Sequence, residues 1–233
     1  RDEADHQLTV PVIAGFDRVS NKPESNWWNG ALLLRVALCD PDAPHAAQYR
    51  EKAADFLANA ISVPSDAQSG DDVDGKPESE RFVGANFTES YGLNHHGYLN
   101  IGYMVITLSQ LAMLHFSLKR RRVAPPEYIY RHSIALWQLV KSLIFPDGRL
   151  CRIGGDTRVR YCYCQDYLLP VLGWAADYLG EDVSGWMAGW CALLEQECRY
   201  NGDGSFLKKR VELFRERSPL YYTRLESDRA VSL

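Results

Sequence analysis

The stretch LNIGYMVITLSQLAMLHFSL, residues 99–118, decides the fold class. Ile101, Val105, Leu108, Ala112 and His115 recur at intervals of three and four, the period of an α-helix. Apolar side chains occupy more than one side of it, so the spacing predicts a helix buried on both faces. Such a helix must be covered by other elements. The flanking sequence supplies helices.

Downstream, Pro125-Pro126 opens a helix over 127–145, in keeping with proline in a first turn. Pro146-Asp147-Gly148 then turns the chain. Two more helices are expected over 165–179 and 184–199. Pro170 either kinks the first or marks its start, and Gly180 is placed for its C-cap. Past the turn Asn201-Gly202-Asp203-Gly204, residues 206–217 read as a short helix. Upstream, Ser25 or Asn26 caps a helix over 26–39, where Trp27, Trp28, Ala31, Leu32 and Val36 share helical spacing. Asp40-Pro41-Asp42-Ala43-Pro44 stops it. A second amphipathic helix follows over 45–61, with Tyr49, Ala53, Phe56, Leu57 and Ala60 on one stripe, and the two form an α-hairpin. Residues 1–24 are a polar leading segment broken by Pro11 and Pro23.

Residues 62–92 are a connection rich in Ser, Asp, Gly and Pro, and connections of that length are functional or disordered. Asp71-Asp72-Val73-Asp74-Gly75 resembles the start of a calcium loop. The bidentate Glu such a loop needs at position twelve is replaced by Phe82 or Val83, according to where counting begins. The segment therefore reads as a solvated loop without calcium. No period-2 series is strong enough to build a sheet, no heptad runs long enough for a coiled coil, and no short repeat marks a TPR or ankyrin array. The expectation is an all-α fold of paired antiparallel helices forming an incomplete α/α toroid. Residues 1–233 would be one such domain or part of one.

Composition narrows the function classes. Hydrophobic residues make up 46% and charged residues 24% of 233 positions, enough to bury a sizeable core. The net charge of -4 lacks the basic footprint of a nucleic-acid binder. The run Lys119-Arg120-Arg121-Arg122 suits a helix C-terminus. No apolar run is read as a membrane span, and no signal peptide is visible. The six Cys show no zinc spacing and are expected to be mostly buried free thiols. Aromatic residues reach 12%, with six Trp and thirteen Tyr, a content that suits clefts where rings stack on sugars.

Polar and aromatic groups concentrate outside the apolar stripes in three places. In Ser25-Asn26-Trp27-Trp28-Asn29-Gly30, two adjacent Trp cannot both face one core, so one is a candidate cleft residue. Residues 86–103 carry Asn94, His95, His96 and Tyr103 at a loop-to-helix junction. Histidine titrates near neutrality and moves protons, and a helix N-terminus favours an anion. Residues 147–163 place Arg152, Arg158 and Arg160 in a Gly-containing loop, where they can clamp carboxylates or sulfates. The competing reading of that loop is Arg–Asp pairs in water.

At these residues the chain resembles the heparinase II/III and chondroitin AC/hyaluronate lyase superfamily. Asn94-His95-His96 before a buried helix is similar to the Asn/His stretch of such lyases. Asp147-Gly148, then Gly154-Gly155, then Tyr161 and Tyr163 resembles their Asp-Gly…Gly…Tyr-x-Tyr stretch, and Asn26-Trp27-Trp28 resembles a Trp-rich sugar-cleft segment. The resemblance implies β-elimination on a uronate-containing acidic polysaccharide; no cofactor is expected and no residue is assigned to a metal. It further implies a secreted or periplasmic setting and a longer parent in which Leu220-Tyr221-Tyr222-Thr223-Arg224-Leu225 leads to a β-sandwich. By carry-over, Asn94 binds the uronate carboxylate, His95 or His96 is base or neutraliser, and Tyr161, Tyr163 or Tyr103 transfers the proton. Trp27, Trp28, Arg152, Arg158 and Arg160 hold substrate. Neither nucleic acid nor membrane insertion is expected. Two rival readings are a glycoside hydrolase, which needs two carboxylates across a cleft from among Glu89, Asp147, Asp156 and Asp166, and a non-catalytic carbohydrate-binding or scaffold domain.

Overall fold

A computed structural model describes residues 2–15, 21–151, 153, 166–204, 208–212 and 215–216. Helix accounts for 59% and strand for 5% of it, so the fold is all-α. The chain divides into two units: one runs through Arg1–Ser142, the other holds Leu143–Arg152 and the helices beyond.

In the first unit, α1 (Asp2–Leu8) precedes the hairpin of α2 (Pro23–Cys39) and α3 (Ala46–Ala58). The hairpin closes tightly because Gly30 has no side chain. A Cβ there would lie 2.7 Å from Cγ of Leu57, well inside contact distance. Gly30 lies nine residues back from the end of α2 and Leu57 eleven residues on from the start of α3, so the helices are antiparallel, as the sequence pattern predicts. The long helix α5 (Ile101–Arg120) packs on α2 and on α6 (Ser133–Lys141). One 18-residue window of α5 has a mean hydropathy of 1.4, apolar enough for a membrane span, contrary to the sequence reading. Yet 78% of that window is buried inside the fold, which marks a core helix.

The expected helix over 127–145 is interrupted. A 3-10 turn, Glu127–Tyr130, gives way to α6 through His132, whose φ is +58°. Tertiary bonds override local propensity here. Tyr130 Oη lies 2.7 Å from Nδ1 of buried His115, and His132 is held by a carboxylate cluster described below.

Residues 62–92 are built rather than solvated, a second correction. They contain a 3-10 turn (Pro64–Gln68), a hairpin of β1 (Asp72–Val73) and β2 (Lys76–Pro77), and α4 (Glu78–Arg81). Asp74 and Gly75, at φ +52° and +84°, form the hairpin turn. Asp-Gly is a favoured pair for such turns, which accounts for the calcium-like run. Arg81, 3% exposed, bonds Glu51, Asp55 and the carbonyl of Val73.

Buried asparagine amides hold this segment in place of regular structure. Asn59 Nδ2 donates to the carbonyls of Asp55 (2.8 Å) and Arg81 (2.7 Å), and its Oδ1 accepts from Val83 N–H (3.0 Å). Asn86 Nδ2 donates to the carbonyls of Ile13 (2.8 Å) and Asn59 (2.7 Å). Asn26 exchanges bonds with the Ile13 backbone and also reaches the Asn59 carbonyl. All three side chains are fully buried, so each amide satisfies backbone groups that no ladder serves.

In the second unit, Phe145 and Arg149 bracket the Asp147-Gly148 turn, with Phe145 N–H donating to the Arg149 carbonyl at 2.8 Å. The turn rests on α8 (Ser184–Asn201), where a Cβ on Gly189 would fall 2.6 Å from the Asp147 carbonyl oxygen. The apolar helix α7 (Leu168–Leu179) begins two residues before Pro170, so the proline sits in the first turn, where no N–H is needed. It ends at Gly180 with φ +67°, as its placement predicts. A short helix, α9 (Lys208–Glu212), follows. The cysteine expectation is corrected: Cys39 and Cys191 are exposed, and Cys151 and Cys198 are half-buried.

Candidate functional site

The Asn94–Tyr103 junction folds as a hairpin joined to a helix. β3 (Asn94–His95) pairs antiparallel with β4 (Tyr98–Leu99), and His96 and Gly97 make the turn at φ +59° and +86°. This turn type demands positive φ at both central positions, so His96 is carried out on the hairpin tip, exposed. Asn100 ties the hairpin to α5. Its Oδ1 caps the helix by accepting from Tyr103 N–H at 3.1 Å, and its backbone N–H donates to the Leu93 carbonyl at 2.9 Å. Tyr103 is thereby fixed in the first helical turn, beside the end that favours anions.

Three of the residues singled out in the sequence meet here. The His95 ring lies 4.0 Å from that of His96 and 4.3 Å from that of Tyr103, centroid to centroid, and His96 and Tyr103 are 5.4 Å apart. His95 is 2% exposed, Tyr103 half-buried. Asn94, the residue before His95 in β3, has a buried Oδ1 that no donor reaches. His95 Nδ1 lies 2.9 Å from Oδ1 of Asn21, a residue that the reading of 1–24 as a leading segment missed.

Other candidates fare differently. Trp27 is 1% exposed, a core residue with no face for a sugar, which corrects its assignment to substrate. Trp28 is 38% exposed and keeps a ring at the surface. Tyr161, Tyr163, Arg152, Arg158 and Arg160 lie outside the described residues, as does Asp156. Among the hydrolase candidates, Glu89 is taken up by Ser65 N–H and Oγ at 2.6 and 3.0 Å, and Asp147 by its near neighbour Arg149 at 2.8 Å. Asp166 is buried.

A second polar cluster was not legible in the sequence. His132 Nε2 is 2.9 Å from Asp66 Oδ1, and Tyr91 Oη is 2.9 Å from His132 Nδ1. Arg131 pairs with Asp66 at 3.3 Å, with Asp71 at 2.5 Å and with buried Glu78. Tyr91 and His132 both have positive φ, +61° and +58°. The cluster thus holds two strained residues against each other. Burial alone would raise Asp66. The hydrogen bonds from His132 and Val63 N–H, with the charges of His132 and Arg131, outweigh it and hold that carboxyl below its usual range. Burial, then the charge of Asp66, pushes Glu78 up to about 7. Asp66, Glu78 and His132 offer ligand atoms within 4.8 Å of one another, a spacing that a cation could use. The guanidinium of Arg131 already supplies positive charge to both carboxylates, so the donor set does not call for a metal.

Searches against family models, curated proteins and solved structures return no match. The functional reading therefore rests on the site itself.

The raised Glu78 carries a stability consequence. Its folded value, about 7, stands above the ordinary 4.5, so the folded state holds the proton more tightly than the unfolded chain. Stability from this group is then present at low pH and lost as pH rises through that interval. Glu78→Gln is expected to raise the melting temperature relative to the parent at pH 8, and by less at pH 5. A larger advantage at pH 5 would reverse the assignment.

Proposed function

We propose that the chain is part of an α/α toroid that cleaves a uronate-containing acidic polysaccharide by β-elimination. The observation that supports this reading is the convergence of His95, His96 and Tyr103 within 4.0–5.4 Å at a helix start. In the proposed reaction the uronate carboxylate lies against the Asn94 amide and the N-terminus of α5. Neutralising it acidifies the C5 proton. His96 or Tyr103 removes that proton, the C4–O bond breaks, and a C4=C5 double bond forms. A phenol returns a proton to the leaving oxygen. His95 lies beneath, in contact with both rings. Tyr161, Tyr163 and the arginines Arg152, Arg158 and Arg160 are the further groups that this reading assigns to proton transfer and substrate binding.

The test is incubation with a panel of uronate polysaccharides while following the ultraviolet absorbance of the unsaturated uronate. A rise is the expected result. New reducing ends without that absorbance would identify a hydrolase, and binding without either product a carbohydrate-binding domain.

A further inference from the structure

The bonding of Asn21 determines which nitrogen of His95 carries the proton. Asn21 is fully buried, two residues before α2. Its Nδ2 donates to two backbone carbonyls, those of Asn86 at 3.2 Å and Asn94 at 2.9 Å. Carbonyls only accept. Turning the amide over would press Oδ1 against both of them and leave Nδ2 facing the imidazole, so the orientation is set by backbone atoms. Oδ1 therefore faces His95 Nδ1 at 2.9 Å. An amide oxygen also only accepts, so Nδ1 must be the donor.

We infer that Asn21 is a positioning residue that locks His95 as the Nδ1–H tautomer, leaving Nε2 as the acceptor. The inference rests on the lyase reading for its catalytic meaning, but its structural content does not. A neutral imidazole with a lone pair on Nε2 can accept a proton or a hydrogen bond from whatever donor faces it. The opposite tautomer could not. An amide in this place orients the ring without adding charge. A carboxylate would also orient it, but would favour the imidazolium, in which Nε2 carries a proton and can no longer accept. The same amide ties the β3 backbone at Asn94 to the residue before Phe87, so the ring's orientation and the hairpin's position are set together.

The first readout is the nitrogen–proton correlation NMR spectrum of His95 in the unmodified protein, which distinguishes the two tautomers without reference to activity. The Nδ1–H pattern is expected; an Nε2–H pattern overturns the inference and leaves the lyase reading standing. In Asn21→Ala the spectrum is expected to shift toward a mixture of tautomers, and kcat to fall about 10-fold or more with KM little changed. A retained Nδ1–H pattern in a folded Asn21→Ala variant overturns it. If that variant does not fold, the unmodified spectrum alone decides. An Nδ1–H pattern in a protein without lyase activity sinks the proposed reaction and keeps the positioning role.

Discussion

Replacing His96 with Asn is expected to abolish β-elimination while leaving the fold as stable as before. His96 occupies the first of two positive-φ positions in a tight hairpin turn, followed by Gly97. Asn-Gly is the pair this turn favours most, so the substitution removes the imidazole and keeps the geometry. Loss of a group that moves the C5 proton corresponds to a fall of about 100-fold or more in kcat. His96→Ala is the poorer experiment, because alanine at φ +59° adds strain and mixes a stability defect with a chemical one. The measurement is the initial rate of ultraviolet absorbance, with thermal unfolding in parallel. A His96→Asn variant that unfolds as the parent does and retains full activity would remove His96 from the reaction and leave Tyr103 as the described proton-transfer candidate.

The second large effect belongs to Asn59→Asp. The carboxylate has nearly the shape of the amide but lacks its donor. It would press an oxygen against the carbonyls of Asp55 and Arg81, which now receive bonds of 2.8 and 2.7 Å, and bring an unpaired charge into a fully buried site. The expected loss is on the order of 3 kcal/mol or more, a large fraction of a domain's stability. Asn59→Ala leaves the same carbonyls unmet but adds no charge, so it should cost less. The deficit of Asn59→Asp should narrow at acid pH, where a protonated carboxyl can donate to one carbonyl. Urea unfolding of both variants checks the order, and equal stability of Asn59→Asp and parent would show that the amide holds nothing.

The helices were legible because their information is local. Apolar residues at helical spacing mark α2, α3, α5 and α7 within about one turn at most of their ends, and Gly180 marks an end by its own chemistry. The His95, His96 and Tyr103 cluster was legible for a related reason: all three lie within nine consecutive residues, so a turn and one helical turn suffice to bring them together. The missed features share the opposite property. Asn21 reaches Asn94 across 73 positions, and His132 reaches Asp66 across 66. A lone Asn in a polar stretch looks the same whether it is wetted or fully buried. The interruption at His132 was hidden because the residues there keep helical propensity and yield it to distant partners. Trp27 and Trp28 could be told apart only by knowing which side of α2 the hairpin covers.

The bonds that Asn86 donates to the Ile13 carbonyl and that Asn21 donates to the Asn94 carbonyl also order events during synthesis. The α2–α3 hairpin joins neighbours and can assemble as soon as both helices have left the ribosome. The bonds that fix Asn21 against His95 cannot form until about seventy further residues have emerged, and contacts of such separation form slowly. The leading segment can bond the hairpin early, through Ile13 and Asn26 and through Asp5 and Tyr49, but Asn21 must wait for its partners. The proposed catalytic junction is completed by this late docking, so the nascent chain acquires its helices well before it acquires its chemistry.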